Sequence, residues 1–324
     1  MKTITLHAFG PPENLRFEDA PDPVPEAGQV LLRVEAAGVH LVDTTLRSGA
    51  AGGGPIPVPD LPTTPGREVA GRVEAVGPGV DPVWTGTRVV VHLGMVPGGY
   101  AELAAASVES VHELPDHVDG AQAVAAIGTG RTTAGILAQA KLTAADVVLV
   151  TAAAGGIGSY LVQSARNAGA TVIGLAGGAE KVRVVRDLGA HLAVDYREPH
   201  WPSALTAELG DRATTVLLDG VGGANGQQAF ELLGTGGRVL MFGWSGGGPI
   251  ELTTEDLIAR GLTATWAIGP KLMPLLRSLE RTALEETISG RWQALTTTFP
   301  LSEAAAAHRA LENRATTGKV VLIP

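Results

Sequence analysis

The sequence predicts an α/β protein in which a β-rich domain is joined to a doubly wound parallel sheet. Three observations predict this fold: the length of the chain, a change from β-strand patterns to alternating strand and helix patterns along it, and a glycine-rich turn that follows a buried strand. The chain has 324 residues, 45% of them apolar, which is enough for two hydrophobic cores. We expect the β-rich domain in residues 1–120 and 271–324, and the α/β domain in residues 121–270.

Short apolar runs separated by glycine and proline dominate the N-terminal part of the chain. Turn sequences such as Gly77-Pro78-Gly79 divide these runs, a pattern that is typical of β strands. The predicted strands include residues 29–37, 69–76 and 87–92. After Lys271 the pattern predicts helices over 273–289 and 302–313 and extended segments over 294–299 and 319–323. This tail is too short for a third domain, so we expect it to rejoin the first.

Strands and helices alternate between the two β-rich regions. The predicted strands are 147–151, 171–176, 192–195, 216–219, 238–242 and 262–266, and the helices between them include 157–167, 179–188, 224–233 and 253–260. Short Val/Ile/Leu runs with helical crossovers are typical of a parallel sheet that is covered on both faces. Gly169, Gly189 and Gly234 each follow a predicted helix, where a left-handed residue commonly ends it.

The composition disfavours several classes of partner. There are 33 acidic and 24 basic residues, a net charge of -9, and no cluster of Lys or Arg, so we expect neither nucleic acid nor an anionic membrane as a partner. The absence of cysteine excludes disulfides and thiolate-ligated metals. The chain has no apolar run of about 18 residues and no signal-like N-terminus. We therefore expect a soluble, cytoplasmic protein.

The glycine-rich turn Ala152-Ala153-Ala154-Gly155-Gly156-Ile157-Gly158 comes directly after the strand predicted at 147–151. A strand, a glycine turn and a helix in that order direct free N–H groups and the positive helix end at a pyrophosphate. Ala153 occupies the first glycine position of the usual G-x-G-x-x-G motif, so a purely structural turn is the alternative. The predicted dinucleotide contacts are Ala154, Gly155, Gly156, Ile157 and Gly158.

The end of the next strand indicates which dinucleotide binds. Sites for NAD usually place Asp or Glu there, but this strand runs into Gly177-Gly178-Ala179-Glu180-Lys181. Lys181, with Arg183 close behind, could meet the 2′-phosphate of NADPH. We therefore predict NADPH, with Gly177 and Lys181 in its site. The alternatives are that both cations are solvated helix residues, and that Glu180 holds the ribose of NADH.

Together with Gly38-Val39-His40-Leu41-Val42-Asp43 and Pro65-Gly66-Arg67-Glu68, these residues resemble the zinc-independent, zeta-crystallin-like quinone oxidoreductases of the medium-chain dehydrogenase/reductase superfamily. The resemblance covers essentially the whole chain and includes Glu312-Asn313-Arg314-Ala315-Thr316-Thr317-Gly318-Lys319. It implies a GroES-like domain made from both chain ends, an inserted Rossmann domain, and an active site in the cleft. It also implies a homodimer that pairs through an edge strand, for which residues 262–266 are the candidate.

The resemblance also implies roles for individual residues. Lys181 and Tyr196 would hold the adenosine phosphate, with Arg314 as a further cationic contact, and Thr132 would face the nicotinamide. Loops at the carboxyl ends of parallel strands commonly bind ligands in open α/β sheets. The other cofactor contacts implied there are Phe242, Gly243, Trp244 and, in the segment 266–268, Ala267. For Tyr196, an exposed loop tyrosine is the equal alternative.

The positions of the zinc ligands differ from those of zinc-dependent relatives. Such relatives place Cys where His40 stands and Gly-His-Glu where Gly66-Arg67-Glu68 stands. A catalytic zinc needs three protein ligands, whereas here one potential ligand remains and the next position carries a cation. We therefore predict that no metal binds.

The chemistry that these residues allow is hydride transfer from NADPH to a quinone or to an activated alkene such as an enone. His40 and Asp43 are the candidate catalytic residues, because reduction consumes a proton and imidazole titrates near neutral pH. The alternative is that His40 is only a packed, hydrogen-bonded residue. Relatives usually have Asn at the His40 position and often Tyr at the Thr45 position, which leaves the substrate open. An enoyl-thioester or natural-product enoyl reductase and a non-catalytic NADPH-binding protein are the two other hypotheses.

Overall fold

A computed structural model describes residues 1–50 and 57–324. The chain divides into two compact units. One contains both chain ends, Met1–Gly128 and Thr296–Pro324, and is called the terminal unit below. The other, Thr129–Leu295, is called the inserted unit.

The secondary structure follows the two patterns of the sequence, one rich in β strands and one in which strands and helices alternate. The strands are β1 Lys2–Leu6, β2 Leu15–Asp19, β3 Gln29–Val39, β4 Glu68–Val76, β5 Arg88–His92, β6 Leu103–Ser107, β7 His112–Glu113, β8 Val147–Val150, β9 Thr171–Ala176, β10 Leu192–Asp195, β11 Thr214–Asp219, β12 Leu233–Met241, β13 Thr263–Trp266, β14 Thr296–Pro300 and β15 Lys319–Ile323. The α-helices are α1 Leu41–Arg47, α2 Gly120–Val124, α3 Arg131–Ala140, α4 Gly156–Asn167, α5 Ala179–Asp187, α6 Trp201–Leu209, α7 Gly223–Glu231, α8 Thr254–Arg260, α9 Leu276–Ile288 and α10 Ala304–Glu312. The predicted bounds of β9, β10 and β15 are confirmed.

The terminal unit is built on a seven-stranded sheet with the order β14-β15-β3-β4-β5-β7, in which β6 also pairs with β3. The long strand β3 pairs along one side with β6 through residues 29–33 and then with β15 through residues 37–39. Val30, Leu32 and Val34 alternate along β3 and enter one buried cluster. The C-terminal strand therefore completes the first sheet, as predicted for the tail of the chain.

The inserted unit contains a six-stranded parallel sheet with the order β10-β9-β8-β11-β12-β13. The predicted doubly wound parallel sheet is confirmed. The order reverses direction between β8 and β11, and a ligand site in such a sheet lies beyond the carboxyl ends of the strands at this switch point. β8 is buried along its whole length. Its position in the middle of the sheet explains why no polar residue interrupts it.

Both domain boundaries differ from the predicted ones. The first lies after Gly128 and not after residue 120, so residues 121–128 belong to the terminal unit. Residues 271–295 were predicted in the β-rich domain, but they belong to the inserted unit. Arg131 of α3 forms an ion pair with Glu280 of α9 at 2.9 Å, and the rings of Tyr160 and Trp292 stack with centroids 4.9 Å apart. These contacts hold α9 and the segment after it against α3 and α4.

Two of the three predicted helix-ending glycines are confirmed, whereas Gly234 and helix α6 differ from the expectations. Gly169 and Gly189 end helices with φ values of 81° and 97°, as predicted. Gly234 instead lies inside β12, because α7 ends at Glu231 and the strand begins directly afterwards. Helix α6 was not predicted, although its buried residues Trp201, Leu205 and Leu209 recur every four positions. Among the described residues, no helix has both the length and the apolarity to cross a membrane.

Candidate cofactor and catalytic site

The glycine turn lies between β8 and α4 at the switch point of the sheet. Gly155 is the N-cap of α4 and adopts an extended conformation without a side-chain cap. The amides of Gly156, Ile157 and Gly158 therefore lie in the first turn, where a helix offers its N–H groups no internal acceptor. A Cβ on Gly158 would overlap the carbonyl oxygen of Ala152, so glycine is required for the helix to pack against the turn.

Two buried polar side chains lock this turn to the loop after β11. The Thr151 hydroxyl donates a hydrogen bond to Asp219 Oδ1 at 2.8 Å and accepts one from the Gly220 N–H at 3.0 Å. The Asp219 carboxylate also accepts from the amides of Val221 and Gly222. Our sequence reasoning gave neither side chain a role. A polar residue at the end of a fully apolar strand was the available signal.

The predicted adenosine contacts follow β9 and β10, which are neighbours in the sheet. The side chain of Tyr196 lies against Gly177. A Cβ on Gly177 would be only 2.6 Å from the tyrosine hydroxyl oxygen. Lys181 lies in the first turn of α5. Arg197, to which the sequence reasoning gave no role, covers Gly178 and reaches Asp195 at 3.2 Å. An arginine directly after the implied contact Tyr196 was the signal for it.

The other predicted cofactor contacts follow β12 and β13. Phe242 covers Gly220. Gly243 also lies close to Gly220, since a Cβ on Gly243 would be 2.8 Å from the Gly220 carbonyl oxygen. Trp244 stacks on Trp266, with ring centroids 5.1 Å apart. The structure places the other predicted contacts as follows: Ala267 is fully buried and donates its N–H to the Met241 carbonyl, Thr132 lies in α3, and Arg314 lies in the terminal unit between α10 and β15.

His40 begins helix α1 in the terminal unit and meets two buried charges. Its Nε2 is hydrogen-bonded to the Glu68 carboxylate of β4, and the ammonium of Lys319 from β15 is 2.8 Å from both His40 Nε2 and Glu68 Oε2. Burial alone would raise the pKa of Glu68, but the charges of His40 and Lys319 hold it well below the usual range. The sequence reasoning identified His40 but missed both partners, which are distant along the chain.

Asp43 is buried beside His40 and connects it to a second polar cluster. Asp43 Oδ2 accepts the His40 N–H at 2.8 Å and the Tyr100 hydroxyl at 3.2 Å, while Oδ1 is 3.3 Å from Arg67. Tyr100 also contacts His308 Nε2 at 3.2 Å. Burial, with a smaller effect from Asp43, raises the pKa of Tyr100 well above its ordinary value, so Tyr100 stays a phenol. Asp43 is 5% exposed, whereas the His40 side chain is 26% exposed, so His40 is the more accessible of the two.

The polar groups around His40 bear on the metal prediction. Across residues 1–50 and 57–324, no three His, Asp or Glu side chains are grouped as metal ligands would be. His40 Nε2 already contacts Glu68 and Lys319. The adjacent ammonium would repel a metal cation at this nitrogen.

Comparison with known proteins links both units to dehydrogenases. Residues 26–116 match the family described as the alcohol dehydrogenase GroES-like domain, and residues 156–285 match the family described as zinc-binding dehydrogenase. The quinone oxidoreductase of Sus scrofa is 34% identical over 100% of this chain and 98% of its own length.

A second curated relative and a solved structure extend the comparison. The 2-haloacrylate reductase of Burkholderia sp is 32% identical over 98% of each chain. The crystal structure of Escherichia coli quinone oxidoreductase in complex with NADPH matches 100% of both chains, with a TM-score of 0.86 and 29% identity. These similarities cover both units, so they extend beyond a shared nucleotide-binding domain.

The buried His308 makes folding stability depend on pH. Burial lowers its pKa from 6.5 to about 4; the Asp43 charge acts in the opposite direction and the Arg47 charge in the same direction as burial. The unfolded chain therefore takes up this proton first as the pH falls. The stabilisation that comes from keeping His308 neutral is fully present above pH 6.5. As the pH falls from 6.5 towards 4, the free energy of unfolding decreases by about 3 kcal/mol.

Urea unfolding of the wild type and of His308→Gln between pH 7 and pH 4 measures this difference. As the pH is lowered, we expect the free energy of unfolding to decrease less steeply in the variant than in the wild type, because glutamine cannot titrate. His117→Gln, at an exposed histidine, should keep the wild-type slope. Equal slopes for wild type and His308→Gln would contradict the prediction.

Proposed function

Because the chain belongs to the zinc-independent quinone oxidoreductases of the medium-chain dehydrogenase/reductase superfamily, we propose that it uses NADPH to reduce a quinone or an activated alkene. The family fold, a GroES-like domain with a Rossmann-type parallel sheet, agrees with the fold predicted from the sequence. The observation that carries the proposal is the uncapped, glycine-lined start of α4 at the switch point of that sheet.

The residues present fit a dinucleotide phosphate. The first-turn amides of α4 supply N–H donors, and Gly158 permits the close packing that the turn needs. Lys181 and Arg197 place cations after β9 and β10, where a 2′-phosphate would be held, and Tyr196 covers Gly177 between them. Bound NADPH supplies a hydride from its nicotinamide ring to an electrophilic acceptor.

The residues of the terminal unit are suited to handle the accompanying proton. His40 is accessible, and Glu68 and Lys319 fix its ring through Nε2. Asp43 fixes the backbone of the same residue through the His40 N–H. In this proposal His40 contacts the acceptor or gives it a proton, and Asp43 is a positioning residue.

Two substrate classes, quinones and activated alkenes, are candidates within the family. The names of the relatives include a quinone oxidoreductase and a 2-haloacrylate reductase, whose substrates are a quinone and an activated alkene respectively. An enoyl-thioester or natural-product enoyl reductase shares the same chemistry, and a non-catalytic NADPH-binding protein would share only the turn. We further propose a homodimer, because β13 is an edge strand of the inserted sheet.

Purified protein mixed with NADPH and a panel of quinones, enones and enoyl thioesters tests the proposed function. We expect NADPH oxidation, followed as the loss of absorbance at about 340 nm, with at least one quinone or enone, because hydride transfer needs an electrophilic acceptor. NADPH binding without oxidation across the panel would favour the non-catalytic hypothesis. Turnover confined to the thioesters would favour the enoyl-thioester reductase.

Replacement of His40 separates catalysis from packing. In His40→Ala we expect kcat to fall by about 10²-fold or more, as is typical when a positioned acid is lost. The Kd for NADPH, measured by fluorescence titration, should change little because His40 lies in the terminal unit, outside the glycine turn. His117→Ala is the control at an exposed histidine. Unchanged kcat and kcat/KM in His40→Ala would refute the catalytic assignment.

Charge reversal at Lys181 tests the choice of dinucleotide. In Lys181→Glu we expect the KM for NADPH to rise at least about tenfold, because a carboxylate repels the 2′-phosphate. The KM for NADH should change much less, since NADH lacks that phosphate. Arg186→Glu, an exposed site in the last turn of the same helix α5, controls for the change in net charge. Equal effects of Lys181→Glu on both dinucleotides would contradict the assignment.

A further inference from the structure

The terminal unit contains a pocket of about 270 Å³ beside helix α1. Much of its wall is apolar and includes Leu6, Leu46, Pro65 and Met95. Asp43, Arg47 and Arg67 also line it, and all three side chains are buried. Two guanidinium groups in a largely apolar wall are unusual, because a buried charge is stabilised only when it is paired and hydrogen-bonded.

Arg47 has hydrogen-bonding capacity that its neighbours do not use. The side chain is 4% exposed, and its Nη2 contacts the Glu312 carboxylate of α10. Its Nε and Nη1 are buried and have no hydrogen-bond partner in the described part of the chain. A buried donor without an acceptor destabilises a protein, so these nitrogens favour an acceptor brought by a ligand.

Arg67 is only weakly engaged by Asp43. Their contact of 3.3 Å is longer than the 2.8 Å and 3.2 Å contacts that the His40 N–H and the Tyr100 hydroxyl make with the same carboxylate. The negative charge of Asp43 is therefore stabilised by two other donors. The Arg67 guanidinium retains the ability to bind a second anion, and it is 8% exposed.

The charges of the pocket favour an anion with planar oxygens. Two buried cations line it with one buried carboxylate, that of Asp43. The Glu312 carboxylate that pairs with Arg47 is not part of the lining and is 33% exposed, and Asp60 is exposed, so solvent screens both of these charges. Asp43 also joins the pocket to His40, since it lines the first and holds the backbone N–H of the second. A ligand in the pocket would thus lie near the proposed catalytic residue.

We propose that Arg47 and Arg67 bind a carboxylate group of the acceptor, so that the preferred substrates are activated alkenes that carry a carboxylate. This inference rests on the proposed function, and it identifies the substrate class. Arginine suits the role because its planar group binds carboxylates through paired hydrogen bonds. A free inorganic anion could use the same donors, and the experiments below distinguish the two sources.

A matched pair of acceptors tests the substrate class. 4-Oxo-2-pentenoate and 3-penten-2-one share an enone and differ by a carboxylate in place of a methyl group. The measured quantity is the ratio of their kcat/KM values, carboxylate over neutral, with NADPH. In Arg67→Gln this ratio should fall at least about tenfold relative to wild type, the typical effect of one charge-assisted hydrogen bond. Arg16→Gln, at an exposed arginine of β2, should keep the wild-type ratio.

Arg47→Lys tests the unpartnered donors separately. Lysine keeps a positive charge near Glu312 but removes the Nε and Nη1 groups of the guanidinium. We expect the same ratio to fall in this variant, with an unchanged thermal unfolding midpoint as evidence that the fold is retained. If Arg47→Lys unfolds, the Arg67→Gln ratio alone decides the proposal.

Binding without turnover provides an independent measurement. Calorimetric titration of the wild type with crotonate, crotonamide and inorganic phosphate should detect crotonate alone, and Arg67→Gln should weaken that binding at least about tenfold. Equal binding of crotonamide, or tighter binding of phosphate, would overturn the proposal. So would crotonate binding that is lost in Arg67→Gln while the ratio of acceptors stays unchanged, since the pocket would then hold an anion unrelated to the substrate.

The two proposals fail in different ways. Reduction of both acceptors with a ratio that neither arginine variant changes would leave the proposed function and refute the carboxylate pocket. Crotonate binding that depends on Arg67, together with no NADPH oxidation by any acceptor, would refute the reductase and remove the substrate role of the pocket.

Discussion

The fully buried carboxylate of Glu68 is the constraint on which the terminal unit depends. A carboxylate without solvent is tolerated only when cations and donors surround it, and here Lys319 and His40 do so. Two glycines, Gly38 and Gly128, border the carboxylate. A Cβ on either would overlap its oxygens, so both positions need glycine. Four segments that are distant in sequence therefore meet at one group. The same contacts orient the His40 ring.

This arrangement connects the architecture to the proposed chemistry. Lys319 begins the C-terminal strand β15, which pairs with β3, so closing the sheet also delivers the ammonium to Glu68. Asp43 and Tyr100 add a second layer behind His40. A residue held from both its ring and its backbone keeps one orientation, which is what a proton donor needs.

In the inserted unit, the corresponding constraint is the hydrogen bond between Thr151 and Asp219. It joins the loops after the two central strands at the point where the strand order reverses. The glycine turn is thereby fixed before any ligand binds, which reduces the entropy lost on binding. The terminal and inserted units thus each carry one part of the proposed reaction.

Hydrophobic periodicity in the sequence was sufficient to predict the parallel sheet and the bounds of several strands, and the glycine motif after a strand predicted the turn, because these features depend on residues close together in the chain. Resemblance to a family added His40, Asp43 and those predicted cofactor contacts that lie outside the glycine turn and the end of β9, such as Tyr196 and Thr132. The predicted boundary at residue 270 was wrong by one helix, because α9 has an amphipathic pattern that is compatible with either unit. Only its contacts with α3 and α4 decide where it packs.

By itself, then, the sequence determined the fold class, the family and the position of the dinucleotide turn. The tertiary structure alone decided which groups surround His40 and which arginines line a pocket. Glu68 and Lys319 lie 2.8 Å apart, yet they are separated by most of the chain, and no local pattern records that proximity. Arg47 carries unpartnered donors for the same reason: its burial is set by packing among distant segments, which periodicity does not encode.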